Sequence, residues 1–115
     1  MPENTIVIKP SDRPEILVVR DSFDDIIRNK CARGFSASHQ RVSRLNYIII
    51  TDGVNRAVLA DIVKVTHANP INENGRGRVD IKFENVQIND EIFDDVHNII
   101  QWNSRTNIRY INYTP

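Results

Sequence analysis

The sequence predicts an α+β fold: a small, bent, mainly antiparallel sheet with short flanking helices. Short continuous apolar runs, "EILVVR" at 15–20 and "NYIIIT" at 46–51, are typical of buried strands. The turn "DGVN" separates the second run from "RAVLADIVKVT", which predicts a hairpin. Helical periodicity is confined to a few short segments. The 115 residues suffice for one domain over 1–115, with a proline-containing arm at 1–14.

Two short helices are predicted between the first two strands. In "DSFDDIIRNKCA" Ser22 is a candidate N-cap, and the spacing gives one apolar stripe of Phe23, Ile26, Ile27 and Cys31. We expect Gly34 to end this helix. Ser38 is a candidate N-cap for a second helix, with Val42 and Leu45 facing inward.

The second half of the chain is predicted to add strands and one helical region. A polar loop at 67–77 precedes "RVDIKFENVQI", whose apolar phase flips near Glu84 or Asn85 and so indicates a bulge or a strand end. The segment "NDEIFDDVHNIIQW" is predicted to be helical in two short pieces. A last strand is expected at 107–113.

Charge and cysteine content constrain the class of function. Fifteen basic and fifteen acidic residues give a formal net charge of zero, which argues against a protein that mainly coats a nucleic-acid backbone. The signs are nevertheless segregated, with five bases and no acid in 28–44 and five acids and no base in 84–95. The lone Cys31 fits a reducing compartment, and we find neither a secretory leader nor a membrane-spanning run. These features predict a cytoplasmic protein.

Catalytic and metal-binding patterns are missing from the sequence. It has no Cys-x-x-Cys pair and no His-x-x-x-His pair, and its three histidines, His39, His67 and His97, are far apart. No phosphate-binding glycine loop of the common types occurs. We therefore expect no catalytic residues, no metal and no cofactor.

The chemistry that stands out is aromatic and arginine-rich. In "CARGFSASHQRVSR" three arginines, Arg33, Arg41 and Arg44, surround Phe35 in a turn of small polar residues. Flat side chains stack on nucleobases, and guanidinium groups pair with phosphate. The pattern is also compatible with solvated arginines at the end of a helix.

The order of these motifs resembles a PUA-like domain of the ASCH and EVE groups over about residues 15–113. The resemblance rests on "CARGFSASHQRVSRLNYIIITDGVNRAVLADIVKV", on "GRVDIKFENVQINDEIFDDV" and on the ending "NSRTNIRYINY". Where that family usually has tryptophans, this chain has Phe35 and His67. The resemblance implies a PUA-like pseudo-barrel and binding of RNA or of a modified DNA base.

The resemblance also implies a set of site residues. Arg33 and Arg41 would contact phosphate or a base edge, and Phe35 and His67 would flank a base. Arg76 and Arg78 would close the site from a loop. The full set of candidate ligand-binding residues is Arg33, Gly34, Phe35, Ser36, Ser38, Arg41, His67, Arg76 and Arg78.

Several functions remain open at this point. The first is a non-catalytic module that binds RNA or DNA and reads a modified or flipped base. The second is a small homo-oligomer that binds or sequesters a free or cyclic nucleotide, which zero net charge favours. A protein-interaction domain is a third reading. An RNA hydrolase with His39 or His67 as general base and Arg33 as transition-state stabiliser is the weakest.

Overall fold

The computed structural model describes residues 13–67, 78–88, 90–102 and 107–114, so most of the predicted arm and of the 67–77 loop lies outside the described residues. Within these ranges the coarse prediction of an α+β fold is confirmed. The elements in chain order are β1 (Glu15–Arg20), α1 (Phe23–Asn29), β2 (Cys31–Phe35), α2 (His39–Val42), β3 (Tyr47–Thr51), β4 (Ala57–His67), β5 (Val79–Ile88), α3 (Asp90–Ile99) and β6 (Ile108–Asn112).

The six strands form one sheet in the order β2-β5-β4-β3-β1-β6. The β1–β3 pair is parallel and the other four pairs are antiparallel, as the prediction of a mainly antiparallel sheet requires. The sheet curls into a half-barrel, so that residues of both edge strands, β2 and β6, line one common cleft. The helices are short and pack on the two faces of this curled sheet.

Side chains alternate between two apolar clusters, one on each face of the sheet. On β1, Leu17 and Val19 join the cluster that also holds residues of α1 and α2, whereas Ile16 and Val18 join the cluster under α3. All four are fully buried. A strand covered on both faces needs apolar residues at every position, which explains the continuous run in the sequence.

The first helix is shorter than predicted, and the segment that was expected to complete it is a strand. Lys30 follows α1 in the left-handed conformation, with φ of 51°, and turns the chain into β2. Cys31 and Ala32 are buried there and pair with β5. The prediction that Gly34 ends the helix was therefore wrong. The pairing of β2 with β5 outweighs the helical spacing of Cys31. This pairing is a tertiary interaction, which the local periodicity of the sequence does not reveal.

The predicted break in the strand at 78–88 is confirmed as a bulge within β5. Asn85 has a positive φ of 57°, and the pairing of β5 with β4 shifts register between Leu59 and Asp61, opposite this residue. The Asn85 side-chain amide donates to Asp61 Oδ2 at 2.9 Å and fixes the irregularity. Val79, Ile81 and Phe83 lie on one buried face before the bulge, as predicted.

The helical segment at the end of the chain forms the single helix α3 instead of two short pieces. Ile92, Val96 and Ile100 recur at helical spacing and are buried against the sheet. The helix therefore covers the sheet face opposite to α1 and α2. Across the described ranges, no helix has the length and apolar character needed to cross a membrane.

The left-handed residue after α1 gives a stability prediction. Replacing Lys30 with glycine should raise the free energy of unfolding by about 0.5–1 kcal/mol, because glycine adopts φ of 51° without the strain that a Cβ causes. Urea denaturation measures the change. Asn29→Gly, one residue earlier and helical, is the matched control and should be destabilising by about 0.5–1 kcal/mol. A loss of stability in Lys30→Gly would contradict the left-handed turn.

Candidate functional site

A cleft of about 450 Å³ lies where the sheet edges approach each other. We call it the Arg33–Arg78 cleft. It collects the end of β1, the bulged part of β2, the start of β5 and the start of β6. Its lining residues are Asp21, Arg33, Gly34, Phe35, Ser36, Arg78, Asn107 and Ile108. Five of the nine predicted ligand-binding residues are therefore brought together here: Arg33, Gly34, Phe35, Ser36 and Arg78.

The rim of this cleft is a bulge that two side chains hold in place. Ala32 pairs with Ile81 but Phe35 pairs with Val79, so the register of β2 shifts between Ala32 and Phe35. Gly34 sits in the shift with φ of 71°, which glycine adopts without strain. Its N–H donates to Asp80 Oδ1 at 2.8 Å, and its carbonyl accepts from Arg78 Nη1 at 2.7 Å.

The two arginines of the cleft differ in the hydrogen bonds that their guanidinium groups make with described residues. Arg33 is exposed and has no hydrogen-bond or ion-pair partner among the residues that the structure describes. Arg78 is also exposed and uses one N–H on the Gly34 carbonyl, which orients its guanidinium. Two positive charges face one carboxylate, Asp21, among the lining residues. The lining residues thus carry one net positive charge and free donors, and the Asp80 carboxylate lies next to them at the Gly34 rim.

Phe35 lines the floor of the cleft, and its ring packs in the hydrophobic core. The residue is only 7% exposed and packs in the cluster of α1, α2 and the inner sheet face. A ring buried to this extent has no open face on which a base could stack. Ser36, next to it, is exposed at the rim and offers a hydroxyl.

Ser38 and Arg41 lie in a different cleft, of about 650 Å³, at the start of α2. The Ser38 hydroxyl accepts from the Arg41 N–H at 3.2 Å, so it caps α2 as predicted. The Arg41 guanidinium donates to both carboxylate oxygens of Glu15, at 2.8 and 2.9 Å, and lies 3.7 Å from the ring centre of Tyr110. The pKa of the Glu15 carboxyl is lowered by this hydrogen-bonded arginine.

Of the remaining two predicted residues, His67 does not line the Arg33–Arg78 cleft. His67 ends β4, and its ring stacks on that of His39 with the centroids 4.3 Å apart. The His39 Nε2 is 3.0 Å from the Val65 carbonyl, which fixes the orientation of this ring. One face of the His67 ring is thus taken by His39. Arg76 lies outside the described residues.

Asp21, Asn107 and Ile108 complete the cleft but were not predicted from the sequence. Val19 pairs with Ile108, so the end of β1 and the start of β6 are neighbours although they are far apart in the chain. The Arg20 N–H also donates to the Asn107 carbonyl at 2.7 Å. No local signal marks these residues, because their proximity depends on which strands are adjacent in the sheet.

The arrangement is suited to binding. It offers guanidinium groups, a hydroxyl, a carboxylate and an amide around an apolar floor, and its lining contains neither histidine nor cysteine. Among the described residues, no group of three or more His, Cys, Asp or Glu side chains could hold a metal ion.

Comparisons with known proteins give no match to this chain. None was found among protein-family models, among curated protein sequences or among solved structures.

Proposed function

We propose that this protein is a non-catalytic module that binds a nucleobase of RNA or DNA in the Arg33–Arg78 cleft, with a modified or flipped base as the candidate ligand. The observation that carries the proposal is the convergence of Arg33 and Arg78 with Ser36 and the Gly34 backbone at one rim. We also propose that the fold is a PUA-like pseudo-barrel. The order of the sequence motifs suggests this fold, and the curled sheet is compatible with it.

Phosphate recognition falls to the two arginines. Guanidinium groups form short, bidentate hydrogen bonds with phosphate oxygens, and such bonds are stronger than those between neutral groups. Both arginines belong to the strand region at the cleft, where Asp80 and Arg78 hold the bulge. A rigid support of this kind lowers the entropy lost when the ligand binds.

Base recognition falls to the other polar lining residues. Asp21 accepts hydrogen bonds from amino groups, whereas Asn107 and Ser36 both donate and accept. A base in single-stranded nucleic acid can also stack on the plane of a guanidinium group, so Arg33 takes the stacking role for which Phe35 is too deeply buried. Ile108 and Phe35 supply the apolar floor.

A second candidate is a protein that binds or sequesters a free or cyclic nucleotide. The volume of about 450 Å³ is within the range of small-molecule sites, and the net charge of zero removes the long-range attraction that a polymer binder exploits. In this version the protein is a homo-oligomer whose pockets are shared between chains. The same arginines would then bind the phosphate of the nucleotide.

Arg33→Ala and Arg78→Ala test the proposal. Each should weaken binding of a short fluorescent single-stranded RNA or DNA about tenfold, because each removes charge-assisted hydrogen bonds to phosphate. Fluorescence anisotropy at two salt concentrations measures the affinity. Arg28→Ala is the matched control, since Arg28 lies on α1, has a side chain 76% exposed and lines neither the Arg33–Arg78 cleft nor the cleft at the start of α2. Its affinity should stay within about twofold of the parent protein.

Salt dependence separates the candidates. Affinity for the polymer that falls as salt rises, and falls further in both variants, supports the nucleic-acid module. Salt-tolerant binding of a free or cyclic nucleotide, lost in the same variants, replaces it with the second candidate. Equal binding by all four proteins, or none to any probe, overturns both and leaves the protein-interaction reading.

A further inference from the structure

The outer edge of β6 carries backbone groups to which no described residue bonds. At one end of the β1–β6 ladder the Arg20 N–H donates to the Asn107 carbonyl at 2.7 Å. At the other end the Tyr113 N–H donates to the Pro14 carbonyl at 2.9 Å, and the register between these ends is unbroken. Hydrogen-bonded positions alternate along an antiparallel pair. Alternate residues of β6 therefore direct their N–H and C=O groups away from β1, and these residues are Ile108, Tyr110 and Asn112.

A cleft of about 1140 Å³ runs along this edge. Four consecutive residues, 109–112, line it. Successive side chains point to opposite faces of a sheet, so a cleft that touches all four lies at the edge of the strand and not on one face. We call it the β6-edge cleft. Its other lining residues are Arg13, Asn98, Ile99, Ile100, Gln101 and Trp102.

The opposite wall of the cleft is the second half of α3 and the residues that follow this helix. At one end of β6 the Tyr113 hydroxyl donates to Asp95 Oδ2 at 2.6 Å. At the other end the Arg20 guanidinium lies 4.7 Å from the ring centre of Trp102. The helix and the strand therefore run side by side over the length of β6, about 16 Å. A groove of this length holds an extended segment of about five residues.

The two edges of the sheet differ in their ability to pair with another strand. The edge strand β2 is interrupted at Gly34, where the register shifts between Ala32 and Phe35. A bulge of this kind prevents an edge strand from pairing with a further strand. The other edge strand, β6, has no bulge and no proline in 108–112. It is therefore the edge at which an additional strand can bind.

The charge of the β6-edge cleft favours an acidic partner. Arg13 and Arg109 line it, and its described lining contains no Asp or Glu. Asp95 lies close to the cleft at the Tyr113 end of β6, where its carboxylate accepts from the Tyr113 hydroxyl. If β6 of a second copy occupied the cleft, the same two arginines would be added to those already there. Because like charges across a strand pair are destabilising, an acidic segment is favoured over a second β6.

We propose that the β6-edge cleft binds an acidic, extended segment of a partner protein, which pairs antiparallel to β6 as a seventh strand. The outward N–H and C=O groups of β6 bond to the backbone of this segment. An apolar side chain in its middle packs near Ile111, and acidic side chains on either side lie near Arg13 and Arg109. In strand addition of this kind, main-chain hydrogen bonds give affinity and alternate side chains give specificity. The inference does not rest on the proposed function, because the segment carries no phosphate and the two clefts have no lining residue in common.

Fluorescence anisotropy with the labelled peptide Glu-Thr-Val-Thr-Glu tests the proposal. Its valine and glutamates share one face, and its threonine N–H groups point to β6 when the valine side faces α3. We expect saturable binding. Two control peptides should bind at least about tenfold more weakly: Lys-Thr-Val-Thr-Lys, which reverses the charge, and Glu-Pro-Val-Pro-Glu, which lacks the two N–H donors. Equal binding of all three peptides, or no binding of the first, would overturn the proposal.

Hydrogen exchange followed by NMR locates the bound peptide. The amides of Tyr110 and Asn112 should exchange about tenfold more slowly at saturation, because they gain acceptors. The Ile111 amide, which faces β1, should change little. Slower exchange only at residues of the Arg33–Arg78 cleft would contradict the proposal. A parent protein that dimerises in analytical ultracentrifugation and binds no peptide would identify a second copy as the occupant instead.

Asn112→Pro is the critical variant, and Asn112→Ala is its matched control. The proline removes one outward N–H and no bond of the β1–β6 ladder, so the protein should stay folded and bind the peptide at least about tenfold more weakly. Alanine keeps this N–H and removes only the side-chain amide, which donates to the Arg13 carbonyl. Asn112→Ala should therefore bind within about twofold of the parent protein. Parent-like binding by a folded Asn112→Pro would refute the added strand.

Arg33→Ala separates this cleft from the Arg33–Arg78 cleft. It should bind the peptide within about twofold of the parent protein, because Arg33 does not line the β6-edge cleft. Nucleic-acid binding should be weakened in the same variant, as proposed above. Loss of peptide binding in Arg33→Ala would place the peptide in the Arg33–Arg78 cleft and overturn the inference without affecting the proposed function.

Discussion

Replacing Ile49 with alanine should lower the free energy of unfolding by about 3–4 kcal/mol, the largest effect that we expect of a single substitution in this protein. Ile49 lies in the middle of β3 and is completely buried in the cluster under α3. Removing three carbon atoms there loses apolar contact and leaves a cavity, since the strands on either side hold the backbone in register. Urea denaturation followed by circular dichroism measures the loss.

Ile88→Ala is the control for this experiment, because it removes the same atoms from a strand position that is 83% exposed. Its free energy of unfolding should change by less than about 0.5 kcal/mol. Equal losses in the two variants, or a loss below about 1 kcal/mol in Ile49→Ala, would contradict the packing of α3 on this sheet face.

Replacing Asp52 with alanine should cost about 2 kcal/mol at neutral pH, and the cost should shrink in acid. Asp52 begins the turn between β3 and β4, where its Oδ1 accepts from the N–H groups of Val54, Asn55 and Arg56 at 2.8–3.0 Å. Its Oδ2 accepts from Arg56 Nε at 3.1 Å. Burial tends to raise the pKa of Asp52, but these hydrogen bonds together lower it from 3.8 to about 2.

The pH dependence follows from the lowered pKa of this carboxyl. Because the unfolded chain binds the proton more tightly, the contribution of Asp52 is fully present above about pH 4 and is lost as the pH falls through about 2. The pKa of Asp52 in the folded protein is almost 2 below its ordinary value of 3.8, and this difference corresponds to about 2 kcal/mol of folding stability. Unfolding free energies of the parent and of Asp52→Ala, measured from pH 7 to pH 2, should therefore converge.

Asp52→Asn separates the charge from the shape of this side chain. It keeps an oxygen that can accept from the turn amides but cannot ionise, so at pH 7 it should lose less stability than the alanine variant. Its stability relative to Asp52→Ala should be nearly independent of pH. A parent protein whose advantage over Asp52→Ala persists at pH 2 would contradict the role of the ionised carboxylate.

The strands were largely predictable because the pattern of apolar residues in the sequence reflects which strand faces are buried. The run at 15–20 is apolar throughout since both faces of β1 are covered, and the predicted bounds coincide with the strand. The phase flip near Asn85 likewise corresponds to a bulge. Strand β2 was missed because it is short and interrupted at Gly34, and only its pairing with β5 makes it a strand.

The candidate site was predictable where its residues are close in sequence. Arg33, Gly34 and Ser36 fall in one turn, and Arg78 joins them because β5 pairs with β2. The partner of Arg41 is Glu15, which is 26 residues away, so nothing near Arg41 distinguished it from a free arginine. The burial of Phe35 likewise depends on the tertiary packing of helices over the curled sheet.

The position of β1 in the sheet has a consequence for how the chain folds. Its neighbours in the sheet, β3 and β6, both follow it in the sequence, and Ile16 pairs with Ile111, which lies 95 residues later in the chain. The β3–β4–β5 strands are joined in succession and can assemble locally, whereas closing so long a loop is slow. An apolar strand with an open hydrogen-bonding edge is then exposed until the last strand docks. Aggregation during refolding should therefore start at 15–20, and a chain cut before β6 should keep that edge open.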